Sequence, residues 1–213
     1  EQYDILNHFE IFNKLKDNSR NIQIYWTLQH DYYNLFTVSY DSIGLFSKIT
    51  GILCANGINV LDANLYTGSL AIDFFRVSHF FSGQIEEAKW KRIENELNQV
   101  LNGEISNIES HINKRMKNVF KYEKSKIEIK PNISFDESSK GYTLIDIECK
   151  DKIGLLYQIS SIIAKMGFSI HLAKINTYGL RVVDTFYIKT NNGGMLSKSD
   201  CEDLKQRLIT ILL

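Results

Sequence analysis

Hydrophobic and polar residues alternate through Ile22, Ile24, Trp26 and Leu28, and again through Ile127, Ile129, Ile133 and Phe135. A period of two predicts a half-buried strand in each place. Pro131 has no N–H to give a ladder, so the later strand belongs at a sheet edge. A second strand follows in each region, over 34–40 and 142–149. The period then changes. Leu45, Phe46, Ile49, Ile52 and Leu53 fall at helical spacing within 44–56, and Leu155, Leu156, Ile159, Ile162 and Ile163 do so within 154–166. Gly57 and Gly167 punctuate the ends of these helices. Paired strands follow over 58–67 and 71–80, and over 168–177 and 181–190, with turns near Gly68 and Gly179. Helices at about 85–101 and 198–212 close the pattern, their buried stripes marked by Ile93, Leu97 and Val100 and by Leu204, Leu208 and Ile211. One further helix, over 3–15, carries Ile5, Phe9, Phe12 and Leu15 and has no counterpart in the repeat.

The two halves are one pattern written twice. Asp41-Ser42-Ile43-Gly44-Leu45 recurs 110 positions later as Asp151-Lys152-Ile153-Gly154-Leu155. Gly57, Ala63 and Thr67 recur as Gly167, Ala173 and Thr177; after one added residue, Asp73 and Phe75 recur as Asp184 and Phe186. A period this long is a whole domain rather than a solenoid repeat. Each copy is large enough to bury a core of its own.

Without its leading strand each copy reads β-α-β-β-α, close to the split β-α-β sandwich of ferredoxin-like domains. That sandwich needs a fourth strand, and the leading strand can supply it by a hairpin. Leu28 to Leu35 and Phe135 to Tyr142 are both seven residues apart, which favours the same hairpin in both copies. The expected fold is therefore α+β: two ferredoxin-like units, each a four-stranded antiparallel sheet with two helices on one face, the edge strand permuted to the start. The competing topology sends 127–135 back to the first sheet and leaves 22–28 for the second.

Composition narrows the partners. The chain has 213 residues, with 25 Lys and Arg against 25 Asp and Glu, a balance that gives no sign of a nucleic-acid or membrane partner. No apolar run approaches the ~18–20 residues that span a bilayer. Glu1-Gln2-Tyr3-Asp4 has neither the basic nor the apolar region of a signal peptide. Cys54, Cys149 and Cys201 show no metal-ligand spacing, and Cys54 and Cys201 fall on apolar helical positions suited to reduced thiols. A cytoplasmic location is expected. Residues 111–130 hold eight Lys, Arg or His against Glu123 and Glu128; a solvated linker and a docking strip for an acidic partner both fit.

The candidate chemistry lies in the Asp-x-Ile-Gly-Leu loops. Each leaves a strand and opens a helix, where unpaired backbone N–H groups attract an anion and glycine clears the approach. The alternative is a tight turn in which Asp41 or Ser42 caps the helix. Asn59 and Ser169 open the strands after the helices and present small polar groups, either to a ligand or to a turn. No phosphate-binding loop, zinc spacing or His-Glu-x-x-His motif occurs. His30-Asp31 stands alone in a predicted hairpin turn, and His8, His79, His111 and His171 do not assemble a metal set, so neither a catalytic nor a metal site is expected. Asn191-Asn192-Gly193-Gly194 is turn chemistry. Asp73 and Asp184 sit within apolar strands, where structural pairing is expected rather than catalysis.

Asp-x-Ile-Gly-Leu followed by Gly57-Ile58-Asn59-Val60 and Ala63, or by Gly167-Phe168-Ser169-Ile170 and Ala173, resembles tandem ACT domains, small regulatory modules that often bind amino acids. His171-Leu172-Ala173-Lys174-Ile175-Asn176-Thr177-Tyr178-Gly179, then Arg181-Val182-Val183-Asp184-Thr185-Phe186-Tyr187, is similar to the last ACT domain of the bacterial PII uridylyltransferase/uridylyl-removing family. Leu61-Asp62-Ala63-Asn64-Leu65-Tyr66-Thr67, with Ala71-Ile72-Asp73-Phe74-Phe75, resembles the penultimate one. The resemblance covers residues 20–213 and implies an upstream-domain stub over 1–19, ACT domains over 20–110 and 127–213, and a basic linker over 111–126. It implies a non-catalytic region sensing L-glutamine or another small amino acid. Its partners would be upstream catalytic domains and, through them, the PII protein, with possible homo-oligomers. It implies no cofactor here and a divalent metal such as Mg in the parent enzyme.

Carried over by position, the ligand residues are Asp41, Gly44 and Leu45 with Asn59 facing them, and Asp151, Gly154 and Leu155 with Ser169. The family's common Asp-Arg-Pro-Gly is replaced by Ser42-Ile43 and Lys152-Ile153 between the Asp and Gly. Loss of proline loosens both loops, and only Lys152 keeps the charge. A free-standing ACT-repeat protein, a regulatory tail of another enzyme binding a different amino acid, and a dimerisation module are the alternatives.

Overall fold

A computed structural model describes residues 21–66, 70–80, 83–117, 128–137 and 141–213, so the expected helix at 3–15 lies outside the described residues. The first unit runs β1 (Ile22–Gln29), β2 (Tyr32–Tyr40), α1 (Leu45–Ala55), β3 (Ile58–Tyr66), β4 (Leu70–His79) and α2 (Glu87–Leu101). A helix α3 (Ile108–Met116) leads onward. The second unit runs β5 (Asn132–Glu137), β6 (Thr143–Lys150), α4 (Leu155–Lys165), β7 (Phe168–Lys174), the short β8 (Thr177–Tyr178), β9 (Arg181–Thr190) and α5 (Lys198–Leu212).

The permuted hairpin is present in both copies. β1 pairs antiparallel with β2 across the two-residue turn His30-Asp31, and β5 pairs with β6. Strand order is β1-β2-β4-β3 in one unit and β7-β9-β6-β5 in the other, the ferredoxin-like arrangement with the leading strand in the fourth position. β5 begins after Pro131 rather than running through it, because a ladder residue must donate an N–H. The expected strand over 127–135 is thus shifted to 132–137.

The two sheets continue into one another. β3 pairs antiparallel with β7 in the register Ala63↔Ala173, so the strands form a single sheet with β8 appended to β9. Ala63 and Ala173 are the same position in the two copies. So are Thr50 on α1 and Ser160 on α4, whose hydroxyl oxygens lie 3.5 Å apart. An element that meets its own repeat at equivalent residues lies on a two-fold axis, and here a pseudo-two-fold relates the units as in an isologous dimer. Both joining strands also carry an irregularity at matching places, between Val60 and Asp62 and between Ile170 and Leu172. The sites are small where the backbones approach: Ala63 and Ala173 are both fully buried.

Alternation decides which face is dry. Ala71, Asp73, Phe75 and Val77 of β4, and Val182, Asp184, Phe186 and Ile188 of β9, point to the buried face. α1 is buried at ten of its eleven residues, because it packs against the sheet, α2, α3 and α4 together. Gly51 makes this possible. A Cβ there would lie 2.5 Å from Ile108 Cγ2 and 2.7 Å from Tyr157 Cδ2.

α2 is fixed to β1 by Asn98, whose Oδ1 accepts from the backbone N–H of Asn21 at 2.8 Å and whose Nδ2 donates to the Ile22 carbonyl at 3.0 Å. Trp26 and Trp90 stack with centroids 5.5 Å apart beneath it.

The basic segment after residue 110 begins as ordered helix. Ile108 and Ile112 of α3 are buried, and Arg115 makes paired 2.8 Å bonds to both carboxylate oxygens of Glu96. Asn56 Nδ2 donates to the same carboxylate at 2.8 Å and to the Ile52 carbonyl at 2.9 Å. Burial pushes the Glu96 carboxyl up, but Arg115, Asn56 and Arg92 outweigh it and hold it below the usual range. Residues 118–127, with the rest of the expected basic linker, lie outside the described residues. Among the described residues no helix is long and apolar enough to cross a membrane.

Candidate ligand sites between the two units

Each glycine loop is a tight turn that ends in a left-handed residue. Gly44 has φ +80° and Gly154 φ +78°. A side chain in that region costs roughly 1–2 kcal/mol, which explains glycine at both places. The Leu45 N–H donates to the Ser42 carbonyl at 3.0 Å, and the Leu155 N–H to the Lys152 carbonyl at 3.0 Å. Helices α1 and α4 start directly after, and no side chain caps either one. The capping role open to Asp41 or Ser42 is therefore not taken: Gly44 holds the N-cap position. Beyond the bonded Leu45 and Leu155 N–H groups, the first-turn backbone donors keep their capacity for an acceptor from outside.

The antiparallel crossing of α1 and α4 sets each loop against the far end of the other unit's helix. A Cβ on Gly44 would stand 3.4 Å from Ala164 Cβ, and one on Gly154 would stand 3.7 Å from Cys54 Sγ. Both loops consequently open into cavities shared by the two units. One, of about 220 Å³, is lined by Asp41, Gly44, Leu45 and Asp73 from the first unit and by Ser160, Phe168 and Ser169 from the second. The other, of about 320 Å³, is lined by Asp151, Gly154, Leu155 and Asp184 from the second unit and by Thr50, Ile58 and Asn59 from the first. These sizes lie on either side of the ~300 Å³ lower bound for drug-sized ligands and suit a small metabolite.

All eight residues singled out from the sequence line these two cavities, but the partners are exchanged. Asn59 faces the 151–155 loop and Ser169 faces the 41–45 loop. The pairing of Asn59 with Asp41, and of Ser169 with Asp151, is corrected for a physical reason. The pseudo-two-fold makes edge strands β3 and β7 neighbours, so the start of each lies across from the other unit's loop. The copies also differ at Lys152, whose ammonium donates to the Ile211 carbonyl near the end of α5, an interaction Ser42 does not reproduce.

Two further residues belong to these cavities. Asp73 and Asp184 are 3% and 2% exposed and lie on the buried sheet face beside the loops. Among the described residues neither forms an ion pair, and their structural partners are backbone donors. Asp184 accepts from the Asn176 N–H at 3.2 Å, and Asp73 is served by the backbone of Tyr66. Burial pushes both carboxyls up to about 7 against those bonds, with the neighbouring loop carboxyls Asp41 and Asp151 adding to the rise. Asp151 is itself raised by burial. His171, on β7, is lowered by burial and by Lys189 and raised by Asp41. The sequence carried a signal for the pair: one acid interrupts an apolar alternation at the same place in both copies.

Among the described residues no group of three or more His, Cys, Asp or Glu could hold a metal ion. Burial, with Asp184 and other acids nearby, pushes the Cys149 thiol up to about 12, which removes it as a nucleophile.

Two permuted ferredoxin-like units, joined edge to edge with each glycine loop against the other unit, match the tandem ACT architecture. The chain is homologous to the C-terminal region of the bifunctional uridylyltransferase/uridylyl-removing enzymes. It is 33% identical to that of Rhodospirillum rubrum over 153 residues, 70% of this chain and 16% of the relative. Identity to the enzyme of Cereibacter sphaeroides is 31% over 172 residues, 79% of this chain and 18% of the relative. The Azospirillum brasilense enzyme matches at 26% over 178 residues, covering 81% of this chain and 19% of its own length. The match thus spans less than a fifth of these relatives. No family model matches the chain. An aspartate kinase from Synechocystis aligns with 85% of this chain and 27% of its own at 14% identity and a TM-score of 0.46.

Proposed function

We propose that this chain is the amino-acid-sensing region of a bifunctional PII uridylyltransferase/uridylyl-removing enzyme, that it works in the cytoplasm, and that L-glutamine is its ligand. The observation that carries the reading is the seating of each uncapped glycine loop in a cavity whose other wall belongs to the second unit. A ligand carboxylate would take the remaining backbone N–H groups in the first turn of α1 or α4, while Ser169 or Asn59 meets it from across the interface. Binding would then bridge the units. It can bias their packing, and with it the upstream catalytic domains acting on PII, only by its differential affinity for two arrangements. Nucleotidyl transfer, and the divalent metal such as Mg that serves it, belong to those upstream domains in this reading. The homology to uridylyltransferases favours a nitrogen signal over other amino acids.

A thermal-shift screen of the twenty amino acids tests it. L-Glutamine should raise the melting temperature and L-glutamate should do so far less. Silence for all twenty overturns the reading.

A further inference from the structure

We propose that Asp73 and Asp184 are the receptors for the ligand's ammonium group, each working with the acid of its own loop, so that both cavities accept a zwitterion in one fixed orientation. This rests on the amino-acid reading of the cavities given above.

Each cavity is lined by two chemically opposite kinds of group. The uncapped start of α1 or α4 offers backbone N–H groups and the positive end of a helix dipole, which suits a carboxylate. Beside it, a strand carboxyl is buried on the core face of β4 or β9, where alternation calls for an apolar side chain. A carboxylate has about four acceptor sites, and each of these two uses little of that capacity on its backbone partner. Burying a charge without a counter-charge is costly, so such a group persists either as a neutral acid or beside a cation. No cationic side chain is ion-paired to Asp73 or Asp184 among the described residues. An ammonium group entering the cavity supplies the missing charge.

The surroundings make this a proton-linked event. Asp41 and His171 are the titratable groups acting around the first cavity. Among the described residues, Asp151, Cys149, Lys152, Tyr157 and Cys54 are those around the second. With both strand carboxyls poised at about 7, the unliganded chain holds a mixture of acid and carboxylate at neutral pH. An arriving cation favours the ionised form, and the displaced proton leaves to solvent. The ligand's own ammonium stays charged throughout this range. A ligand that instead needed a donor from these residues would draw protons in.

The experiment is calorimetric titration of L-glutamine into the full chain, at pH 7 in two buffers of different ionisation heat and again at pH 6 and pH 8. Net release of about half a proton per occupied site is expected at pH 7, with affinity rising about tenfold between pH 6 and pH 8. Asp73→Asn and Asp184→Asn should each abolish the release from one cavity and weaken that site by more than tenfold. 4-Carbamoylbutanoate, which is glutamine without its amino group, should not bind. Glutamine binding with no proton exchange, or with proton uptake, overturns the proposal while leaving amino-acid sensing intact. Wild-type binding of the analogue at glutamine's strength does the same. No binding of any of the twenty amino acids overturns both. The proton count on the unaltered chain needs no variant to fold.

Discussion

Replacing both Asp73 and Asp184 with Asn should stabilise the unliganded chain at pH 8 by roughly two to three times as much as at pH 5. Burial carries both carboxyls from an ordinary 3.8 up to about 7 in the folded chain. The folded state therefore holds these protons more tightly than the unfolded state. Between about pH 4 and pH 7 the unfolded chain has lost them and the folded chain has not, so stability falls as pH rises through that window. Above the folded value the loss is complete and constant. The displacement corresponds to a ceiling of about 4 kcal/mol per residue, which relaxation and water entry around an ionised carboxyl reduce to about 2 kcal/mol. Asn has the same shape as the protonated acid, keeps an acceptor for the backbone N–H and has no charge to bury. Urea denaturation at the two pH values measures the difference, with Trp26 and Trp90 fluorescence reporting the first unit and circular dichroism the whole chain. A variant-to-parent difference that is the same at pH 5 and pH 8 would refute the reasoning, since it would mean that the carboxyls are solvated or paired in the folded state.

Gly51→Ala should lower stability by about 1–2 kcal/mol, despite alanine's better helix propensity, because the new methyl meets Ile108 and Tyr157; a fall in Tm of roughly 4 °C is expected. Arg115→Ala should cost about 2 kcal/mol by stranding the half-enclosed Glu96 carboxylate. Because that carboxyl titrates below its usual range when folded, its contribution is present at neutral pH and disappears as the pH falls below the usual carboxylate range; denaturation of variant and parent should converge there. Gly44→Ala and Gly154→Ala should each cost roughly 1–2 kcal/mol in stability and remove ligand binding at one cavity, measured by calorimetry against the parent.

Much of the fold could be read from local rules. The two-residue and 3.6-residue periods locate the strands and helices of both units to within a few residues, because each element buries one face. Equal loop lengths pointed to the permuted hairpin. Pro131 marked an edge strand but not its start, since an extended, apolar stretch looks the same on either side of a proline. α3 was hidden by charge: Lys114, Arg115 and His111 read as a solvated run, yet Ile108 and Ile112 are buried and Arg115 is bound to Glu96. That pairing depends on a residue 19 positions away and leaves no local trace.

The candidate site divides in the same way. The sequence by itself determined the two glycine loops, the polar residues Asn59 and Ser169, and the fact that each occurs twice at one offset. It also placed an acid at matching positions in two apolar strands. It did not determine who faces whom. Only the tertiary structure set Ala63 against Ala173 and Thr50 beside Ser160, and so generated the pseudo-two-fold that hands each loop to the other unit's strand. The reason is physical: periodicity fixes which face of an element is buried, whereas the joining of two exposed sheet edges is decided by shape and close approach over long sequence separation. That joining turned two internal motifs into a pair of shared cavities, with the two strand aspartates in their lining.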